Sequence, residues 1–460
     1  MVLFPESEKR LKRLENRLTT LLRLLYNSLQ NEKTVSPNKK FKVVTLGCRT
    51  NQYESQAYAD QLVAMGYAQA KDGEEAEICI VNTCTVTESA DSSSRHQIRQ
   101  LSRQNPGARI VVTGCLAERA PEELINLPGV DLLVSNKDKE NLLSLAFPEE
   151  EIPEFAIHQF EAHTRAFVKV QDGCNSFCTY CIIPYVRGRS RSRRMDEILE
   201  EIRGLVHNGY KEVVLTGINI GDFDGSPAEN EPPTRLADLV RAVDAIQGLK
   251  RVRVSSIDPD EVDDDLADAI LNGKNTCPSM HIVLQSGSNV ILKRMNRKYT
   301  REIFLETVDR LKAANPDFSF TTDVIVGFPG ESERDFEDTL DVMEKVRFAK
   351  VHMFPYSVRK RTRAALYPNK VTPEVIQERK QRLLRAAEEH SYALRQNYVG
   401  KKRSVLFEND ESASPGMISG HTDNFLRVTV ENSTGIKPND LLEVEFISNQ
   451  PDALIGKIIS

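Results

Sequence analysis

Three cysteines lie within eight residues of the sequence, at Cys174, Cys178 and Cys181. This spacing lets one loop surround a metal centre with several thiolates, and a predicted strand at 167–170 precedes the loop. A structural zinc site would need a fourth close ligand, and none follows in register. Three thiolates holding a 4Fe–4S cluster would instead leave one iron open for a substrate. The spacing therefore favours an iron–sulfur centre, with zinc or unligated thiols as alternatives.

An open iron beside a bound ligand suits one-electron reduction, because protein-bound clusters can reach very low potentials. S-adenosylmethionine is the expected ligand, since its amino and carboxylate groups can chelate that iron. Reduction of its sulfonium releases a 5′-deoxyadenosyl radical, which removes hydrogen from carbons that no acid or base could deprotonate. The cysteine loop therefore predicts radical chemistry on an unactivated C–H bond.

Three further cysteines, far apart in the sequence, each follow a predicted strand: Cys48, Cys84 and Cys115. Because the carboxyl ends of successive parallel strands meet at one edge of a sheet, we expect these thiols to converge and hold a second cluster with an open iron. From the residues alone, buried cysteines and cluster ligands are equally good interpretations. Cys79 lies inside an apolar run and Cys277 precedes Pro278 without a partner pattern, so both are interpreted as structural.

Two series of alternating strands and helices must position these cysteines, and they indicate parallel sheets in an α/β fold. In the first series, the predicted strands are 41–46, 78–82, 109–113 and 131–134, and the predicted helices lie near 53–65, 91–104 and 137–146. A polar linker follows at 148–154. We expect this N-terminal parallel α/β domain to carry the second cluster.

The second series contains six predicted strands, at 167–170, 212–215, 251–255, 281–284, 320–326 and 350–354. Predicted helices separate or follow them near 195–208, 235–246, 262–271, 300–314, 333–346 and 373–398. Six strand–helix units are too few for a closed eight-stranded barrel and predict a partial one. Closely spaced short strands end the chain, at 404–407, 417–420, 425–430, 441–446 and 455–459. They predict a small β-barrel, an architecture that often binds oligonucleotides.

The composition is that of a folded protein, since 40% of its 460 residues are hydrophobic and 28% are charged. The length suggests about three domains. The 61 basic and 67 acidic residues leave a net charge of −6, so nucleic-acid binding would need local basic patches. No apolar run approaches the length of a membrane span, and no secretory signal is visible. We therefore expect the eight cysteines to be metal-binding or catalytic residues of a cytoplasmic protein.

Basic residues crowd three segments near the predicted sites. One patch follows the cysteine loop, at Arg187, Arg189, Arg191, Arg193 and Arg194, and a second follows the sixth strand, at Arg359, Lys360, Arg361 and Arg363. A third stands at the entrance to the β-barrel, at Lys401, Lys402 and Arg403. We expect the first two patches on the catalytic face, bound to RNA phosphates or simply solvated. An acidic run at 258–265 should lie away from RNA or open a helix.

The cysteine loop resembles the signature of radical S-adenosylmethionine enzymes, with Tyr180 at the usual aromatic position. The family has a six-unit partial barrel, which agrees with the number of predicted units. The resemblance also implies S-adenosylmethionine contacts at strand ends, and the matching positions are Gly217, Asn219, Gly221, Ser255, Gln285 and Asp323. The glycines could instead serve turns, and Gln285 and Asp323 could satisfy backbone groups.

The segments around the other three cysteines, at 45–55, 82–87 and 113–117, resemble the N-terminal domain of radical methylthiotransferases. The terminal β-domain resembles the TRAM module, an RNA-binding barrel, and the resemblance covers about residues 41–460. It implies two 4Fe–4S clusters, one that cleaves S-adenosylmethionine and one that carries or relays sulfur. The net change would be C–H to C–S–CH3, with one S-adenosylmethionine as methyl donor and a second as radical source.

Three subfamilies share this plan and modify isopentenyladenosine in tRNA, threonylcarbamoyladenosine in tRNA, or an aspartate of a ribosomal protein. The run Asn-Gln-Tyr-Glu at 51–54 looks most like the bacterial threonylcarbamoyladenosine type, whose substrate lies next to the anticodon. Thr50 stands where Val is common, and Arg361 stands where the family usually has Gly. A non-catalytic, metal-stabilised RNA-binding protein is the alternative from another class.

The implied partners are tRNA, at its anticodon loop, and a reductant such as flavodoxin or ferredoxin. The sequence indicates neither the sulfur source nor the oligomeric state. We predict an N-terminal helical extension at 1–40, the methylthiotransferase domain at 41–150, the radical core at 160–395 and the TRAM-like domain at 396–460. A leucine stripe marks the extension as a docking helix or an RNA-binding arm, at Leu11, Leu14, Leu18, Leu21 and Leu25.

Overall fold

The computed structural model of the chain describes residues 39–159, 164–228, 232–409, 414–432 and 435–459. The predicted helical extension lies almost wholly outside these ranges. The first unit is a five-stranded parallel sheet, in the order β2-β1-β3-β4-β5. Its strands are β1 (Lys40–Thr45), β2 (Ala68–Gln69), β3 (Ile78–Thr83), β4 (Arg109–Gly114) and β5 (Val130–Leu133). The predicted parallel sheet is confirmed, with β2 as an unpredicted two-residue edge strand.

Helices connect these strands: α1 (Arg49–Ala64), α2 (Glu88–Gln104), α3 (Cys115–Arg119), α4 (Pro121–Ile125) and α5 (Leu142–Ala146). Helix α1 begins four residues before the predicted one, because its first turn is polar and carries no apolar period. Thr50 and Asn51 of that turn are nevertheless buried. The Thr87 hydroxyl caps α2 by accepting a hydrogen bond from the Ala90 amide at 3.1 Å.

The second unit is an open arc of six parallel strands, as the strand count predicted. The strands of this region are β6 (Ala166–Lys169), β7 (Gln171–Asp172), β8 (Arg191–Ser192), β9 (Glu212–Thr216), β10 (Arg251–Val254), β11 (Ser279–His281), β12 (Ser319–Val326) and β13 (Lys350–Pro355). Strands β7 and β8 form a separate hairpin, and the other six form the arc in two halves, β6-β9-β10 and β11-β12-β13. Parallel bridges from Val252 to Thr276 and from Ile257 to Ile282 join the halves. Strand β11 begins two residues before the predicted 281–284 and ends at His281, ahead of the left-handed backbone at Gln285.

Helices surround or follow the arc strands: α6 (Ile183–Val186), α7 (Met195–His207), α8 (Leu236–Asp244), α9 (Asp264–Leu271), α10 (Asn289–Met295), α11 (Arg301–Ala314), α12 (Glu333–Val346) and α13 (Pro373–Gln396). Helices α6 and α10 were not predicted, because four and seven residues are too few to show an apolar period. In α11 the buried apolar residues Phe304, Val308 and Leu311 follow helical spacing. No helix in the described ranges is long and apolar enough to cross a membrane.

The third unit is a closed five-stranded barrel, in the order β14-β15-β16-β18-β17, which confirms the predicted small β-barrel. Its strands are β14 (Lys402–Phe407), β15 (Met417–Thr422), β16 (Arg427–Glu431), β17 (Leu441–Asn449) and β18 (Leu454–Ile458). Alternate residues point inward, and Val405, Phe407, Val428, Val444 and Phe446 fill its core.

The N-terminal unit covers the open side of the arc. Helix α1 packs along β6, and Tyr53 and Ala57 share one buried apolar cluster with the arc. The Tyr53 hydroxyl donates a hydrogen bond to Glu201 of α7 at 2.9 Å. Beyond β13, Arg359 forms a buried ion pair with Asp91 of α2 at 2.7 Å. The two units therefore meet at both edges of the arc.

The C-terminal barrel lies against the amino-terminal ends of the arc strands. Arg253 of β10 donates hydrogen bonds at 2.7 Å to the carbonyl oxygens of Thr422 and Asp423. Its guanidinium also pairs at 2.6 Å with Glu212, the fully buried first residue of β9. The barrel therefore occupies the end of the arc opposite to the cysteine loop.

We predict that Arg253→Met destabilises the chain by about 3 kcal/mol or more, because it leaves the carboxylate of Glu212 buried without its closest partner. Arg241→Met is the matched control, since Arg241 pairs with Asp265 and Asp268 at an exposed surface where ion pairs contribute little. Thermal unfolding of both apoproteins, compared with the unmodified chain, measures the two effects. Equal and small shifts in unfolding temperature would contradict the role assigned to the Arg253–Glu212 pair.

Candidate active site

The structure brings Cys48, Cys84 and Cys115, here termed the edge trio, to the carboxyl edge of the N-terminal sheet. Cys48 precedes α1 and is exposed, Cys84 follows β3, and Cys115 is the first residue of α3. A side chain on Gly47 would lie 2.8 Å from the Cys84 sulfur, so only glycine permits this approach of the two loops. Burial raises the pKa of Cys84 to about 12, and the nearby Cys115 and Cys48 sulfurs contribute to the rise. The three sulfurs therefore share one site.

Asn51, from the sequence motif after Cys48, ties the loops of the edge trio together. Its Nδ2 donates hydrogen bonds to the carbonyl oxygens of Leu46 at 2.6 Å and Thr83 at 3.1 Å. The Thr83 hydroxyl in turn accepts a hydrogen bond from the Leu116 amide at 3.2 Å. These contacts link the three strand ends that carry the cysteines.

The second group, here termed the loop trio, consists of Cys174, Cys178 and Cys181. Burial raises the pKa of Cys181 to about 12, and the sulfurs of the other two contribute. The loop is anchored to the end of α10, because the Thr179 amide donates a hydrogen bond to the Met295 carbonyl at 2.9 Å. Arg297 donates a hydrogen bond at 3.1 Å to the Cys178 sulfur, so a cation lies beside the loop trio.

The two trios are neighbours across the interface between the units. Cys115 belongs to one small apolar cluster with Ile182 and Val186, and Ile183 packs against it. Ile182 directly follows Cys181, so this cluster joins the start of α3 to the end of the cysteine loop. The interface therefore fixes the position of each trio relative to the other.

A buried ion-pair network holds this interface together. The guanidinium of Arg187 donates hydrogen bonds to Asn51 and Glu54 of α1 and to Asp172 of β7. Lys139 pairs with both carboxylates. Burial alone would raise the pKa of Glu54, but Arg187 and Lys139 lower it to about 2, so the carboxylate stays charged. Arg187 therefore fastens the N-terminal unit to the segment that follows the cysteine loop.

The predicted basic patches divide into buried and exposed residues. The expectation that they face RNA or solvent is wrong for Arg187, Arg193 and Arg359, because each pairs with a carboxylate from another element. Arg193 pairs with Glu201 at 2.7 Å, and Arg359 pairs with Asp91. The exposed members of the two patches are Arg189, Arg191, Arg194, Lys360, Arg361 and Arg363.

Arg361 has a φ of +74°, in the left-handed region that favours glycine. The loop therefore keeps the conformation that the usual family glycine would adopt, although the residue differs. At the entrance to the β-barrel, Lys401 and Lys402 are exposed, whereas Arg403 pairs with Asp423 at 2.7 Å.

Side chains packed against the predicted cofactor loop after β9 leave room only for glycine at two of its positions. A side chain on Gly217 would lie 2.9 Å from Gln171 Oε1, and one on Gly221 would collide with the Glu261 carboxylate. The same Gln171 oxygen accepts hydrogen bonds at 2.9 Å from two successive amides, including that of Asn219. The Gln171 Nε2 also donates a hydrogen bond at 2.8 Å to the start of the cysteine loop. Gln171, which the sequence analysis did not assign, therefore shapes both loops.

Ser255 and Gln285 carry buried polar atoms without a hydrogen-bond partner in the described part of the chain, namely Ser255 Oγ and Gln285 Oε1. Gln285 also has a φ of +59°, a strain that recurs at ligand sites. The Asp323 carboxylate lies 3.4 Å from His281 Nε2. Tyr180 packs edge-on against a buried phenylalanine, with 6.5 Å between ring centroids. The unpaired atoms mark places where a polar ligand would complete the hydrogen bonding.

Two residues of the acidic run at 258–265 lie in the site, although the sequence analysis placed the whole run away from RNA or at a helix start. Asp258 pairs with Arg297. Burial, together with the charge of Asp258, raises the pKa of Glu261 to about 7. Asp263 does open a helix, since its side chain accepts a hydrogen bond from the Leu266 amide of α9 at 2.8 Å.

Comparison with known proteins agrees with this geometry. Residues 168–343 match the Radical SAM superfamily, and residues 40–135 match Uncharacterized protein family UPF0004. The radical S-adenosylmethionine methyltransferase TsrM from Kitasatospora setae, solved with cobalamin and a 4Fe-4S cluster, has a TM-score of 0.52 at 13% identity. The match covers 83% of this chain and 80% of that one, which shows a shared fold.

Sequence relatives are more informative. The chain is 50% identical over 422 residues to threonylcarbamoyladenosine tRNA methylthiotransferase MtaB of Chlamydia pneumoniae, covering 91% of this chain and 98% of the relative. It is 38% identical over 405 residues to the tRNA-2-methylthio-N(6)-dimethylallyladenosine synthase of Caldicellulosiruptor saccharolyticus, covering 84% and 85%. With two cysteine trios on an open arc and these relatives along nearly its whole length, the chain belongs to the radical S-adenosylmethionine methylthiotransferase family.

Proposed function

We propose that this protein is a tRNA methylthiotransferase that acts on N6-threonylcarbamoyladenosine next to the anticodon. It replaces the hydrogen on carbon 2 of the base with a methylthio group. The pair of adjacent thiol trios, joined where Ile182 packs on Cys115, is the observation that carries this proposal. The 50% identity to the Chlamydia pneumoniae threonylcarbamoyladenosine enzyme, against 38% for the dimethylallyladenosine synthase, supports the choice of substrate, whereas two other threonylcarbamoyladenosine enzymes are 38% and 36% identical.

Each trio fits a 4Fe–4S cluster with one iron left open, because three convergent thiols are the donor set that such a cluster takes. Among the described residues, no group of three or more His, Cys, Asp or Glu side chains is arranged to hold a single metal ion. We assign the loop trio to the cluster that cleaves S-adenosylmethionine and the edge trio to the cluster that carries or relays sulfur. When bound, these cofactors supply the radical that opens the C–H bond and the sulfur and methyl group that replace the hydrogen.

S-adenosylmethionine would lie along the carboxyl ends of the arc strands. Ser255 Oγ and Gln285 Oε1 have no hydrogen-bond partner among the described residues, and each would gain a hydrogen bond from a polar ligand. The other proposed contacts come from the cysteine loop, the loop after β9 and strand β12: Tyr180, Gly217, Asn219, Gly221 and Asp323.

The other residues of the site fix charge and geometry. Arg297, held by Asp258, places a cation beside the Cys178 sulfur. The network around Arg187 keeps the two units in register. A bound base can therefore face both trios in one binding event, which removes the entropic cost of moving it between sites.

RNA would approach over the exposed members of the basic patches. The first patch follows the cysteine loop, and the second follows Arg359, which contacts the N-terminal unit through Asp91. The patches therefore flank the two trios. The C-terminal barrel would act as a TRAM-like RNA-binding domain, with Lys401 and Lys402 exposed at its entrance.

We propose that residues 41–150 hold the sulfur-carrying cluster, 160–395 form the radical core and 396–460 bind RNA. The helical extension at 1–40 stays a prediction. A reductant such as flavodoxin or ferredoxin would supply electrons, and the cytoplasm, where tRNA is modified, is the proposed location.

Anaerobic reconstitution should load about eight iron and eight sulfide atoms per chain, four of each in each cluster. We predict that Cys178→Ala loses about half of the iron and all reductive cleavage of S-adenosylmethionine, with unchanged affinity for a tRNA hairpin. Cys84→Ala should lose the other half, keep cleavage and lose methylthio transfer. Cys79→Ala, at the opposite end of strand β3 from Cys84, is the matched control and should keep all three properties. Two zinc atoms without sulfide, or cleavage that survives Cys178→Ala, would overturn the assignment.

Mass spectrometry of tRNA nucleosides tests the substrate. A strain that lacks this gene should accumulate threonylcarbamoyladenosine and lose its methylthio derivative. The intact gene should restore the derivative, whereas the Cys84→Ala gene should not. The methylthio derivative of isopentenyladenosine should be unaffected, and its loss would show that the other tRNA base is the substrate.

The exposed basic patch after β13 should contribute to RNA affinity through phosphate contacts. We predict that replacing Lys360, Arg361 and Arg363 together by Gln weakens hairpin binding and lowers the slope of log affinity against log salt by about two. The control replaces three arginines outside the arc by Gln, namely Arg310 of α11, Arg347 directly after α12 and the partly exposed Arg382 of α13. Fluorescence anisotropy at several salt concentrations measures the slope, and equal slopes for the two triple variants would exclude this patch from the RNA interface.

A further inference from the structure

A cavity lies inside the arc, where all three units of the chain meet. It offers about 30 Å³ of internal space, which is room for a group the size of a carboxylate. Its lining includes Arg49 of the N-terminal unit, Arg165, Arg253, His281 and Thr321 of the arc, and Phe425 of the C-terminal barrel. The wall is therefore rich in cationic side chains, and none of the roles proposed above explains why Arg49 is among them.

Two of the three arginines are already neutralised. Arg165 pairs with Glu408 at 3.2 Å, and Arg253 pairs with Glu212 at 2.6 Å. Arg49 is different, because in the described part of the chain its guanidinium makes neither an ion pair nor a hydrogen bond. It lies 5.6 Å from the centroid of the Phe167 ring. A half-buried guanidinium left unpaired is costly, so an anionic ligand is the simplest explanation for its presence.

Residues of the cavity wall are close in sequence to both proposed cofactor sites. Arg49 directly follows Cys48 of the edge trio at the start of α1. Thr321 lines the cavity, and Asp323, two residues further along β12 on the same face, is a proposed S-adenosylmethionine contact. Val254 also lines the cavity and directly precedes Ser255. A group attached to the reacting base could therefore enter the cavity while the base faces both sites.

In the described ranges, no carboxylate of the opposite wall forms an ion pair with Arg49, although Asp323 and Glu212 lie close enough to attract its charge. The Asp323 carboxylate faces His281, 3.4 Å from Nε2, and His281 Nδ1 lies 2.9 Å from the Thr321 hydroxyl. A ligand that reaches this space would therefore meet one unpaired cation and a wall of hydrogen-bonding side chains. A carboxylate suits such a site, since a guanidinium can bind both of its oxygens.

We infer that Arg49 binds the carboxylate of the threonylcarbamoyl group in this cavity and thereby selects this base over one that carries a hydrocarbon chain. The inference rests on the proposed function. The carboxylate is the only formal negative charge on the modified base, whereas an isopentenyl group would leave Arg49 unpaired against hydrocarbon. A site built for a polar group discriminates strongly against an analogue that lacks it.

The experiment uses reconstituted enzyme with both clusters and three anticodon hairpins. They carry threonylcarbamoyladenosine, the same base with its carboxylate converted to a primary amide, and isopentenyladenosine. For the unmodified enzyme, we expect kcat/KM for the acid to exceed that for the amide by about a hundred-fold or more. Arg49→Gln should reduce this ratio to within about three-fold by lowering the value for the acid alone, and Arg49→Lys should restore part of it.

Two further measurements separate recognition from a structural role. Iron content and reductive cleavage of S-adenosylmethionine without RNA should be the same in Arg49→Gln and the unmodified enzyme. Arg95→Gln is the matched control, since it removes the same charge from an exposed position of the N-terminal unit and should keep the acid-to-amide ratio. Hairpin affinity measured by anisotropy should fall for the acid but not for the amide when Arg49 is replaced.

Each outcome decides one question. If the unmodified enzyme uses acid and amide equally, or if Arg49→Gln keeps the full ratio, Arg49 does not read the carboxylate, although the proposed function survives. If Arg49→Gln loses half of its iron while Arg49→Lys keeps both iron and an unchanged ratio, Arg49 only supports the edge trio. If the unmodified enzyme modifies isopentenyladenosine and ignores both threonylcarbamoyl hairpins, the proposed function fails and this inference fails with it.

Discussion

The placement of the guanidinium of Arg187, buried between two α/β units, is the constraint on which the rest of the site depends. It contacts Asn51 and Glu54 on one side and Asp172 on the other. Neither unit can therefore shift without breaking charged hydrogen bonds in a buried interface. Buried ion pairs add little net stability compared with apolar packing, but losing one partner is costly because the other charges stay buried. The network therefore specifies one arrangement of the units more than it strengthens the fold. As a consequence, the two cysteine trios hold fixed positions relative to each other.

That arrangement also decides which surfaces are left for RNA. The N-terminal unit covers the open side of the arc through α1 and through the Arg359–Asp91 pair. The C-terminal barrel covers the amino ends of the arc strands through Arg253. The carboxyl ends, with the cysteine loop and the exposed basic side chains, lie opposite to the barrel. The exposed basic patches therefore border the end of the arc that carries the cysteine loop.

The sequence predicted the strand–helix order and the convergence of Cys48, Cys84 and Cys115, because parallel strands place their ends at one edge whatever the intervening sequence. It could not predict which arginines are internal. Arg187 and Arg193 stand in one basic run with exposed neighbours. What distinguishes them is a carboxylate on another element: Glu54, more than a hundred residues earlier, pairs with Arg187, and Glu201 of α7 pairs with Arg193. Local spacing carries no record of such partners. The same limit applies to Asp258 and Glu261, because the acidic run that contains them is typical of a solvated helix start.

The arginines of this fold therefore divide into structural residues and site residues, according to whether a carboxylate already pairs with each one. Arg187, Arg253 and Arg359 each meet a buried carboxylate, so their contribution is complete in the isolated chain. Arg297 meets Asp258 with one side of its guanidinium and the Cys178 sulfur with the other, so its charge stabilises the fold and is also available to the cofactor. Arg49 faces a cavity with no counter-charge paired to it among the described residues. A desolvated cation without a paired anion is costly unless binding supplies that anion, and Arg49 directly follows Cys48 of the edge trio.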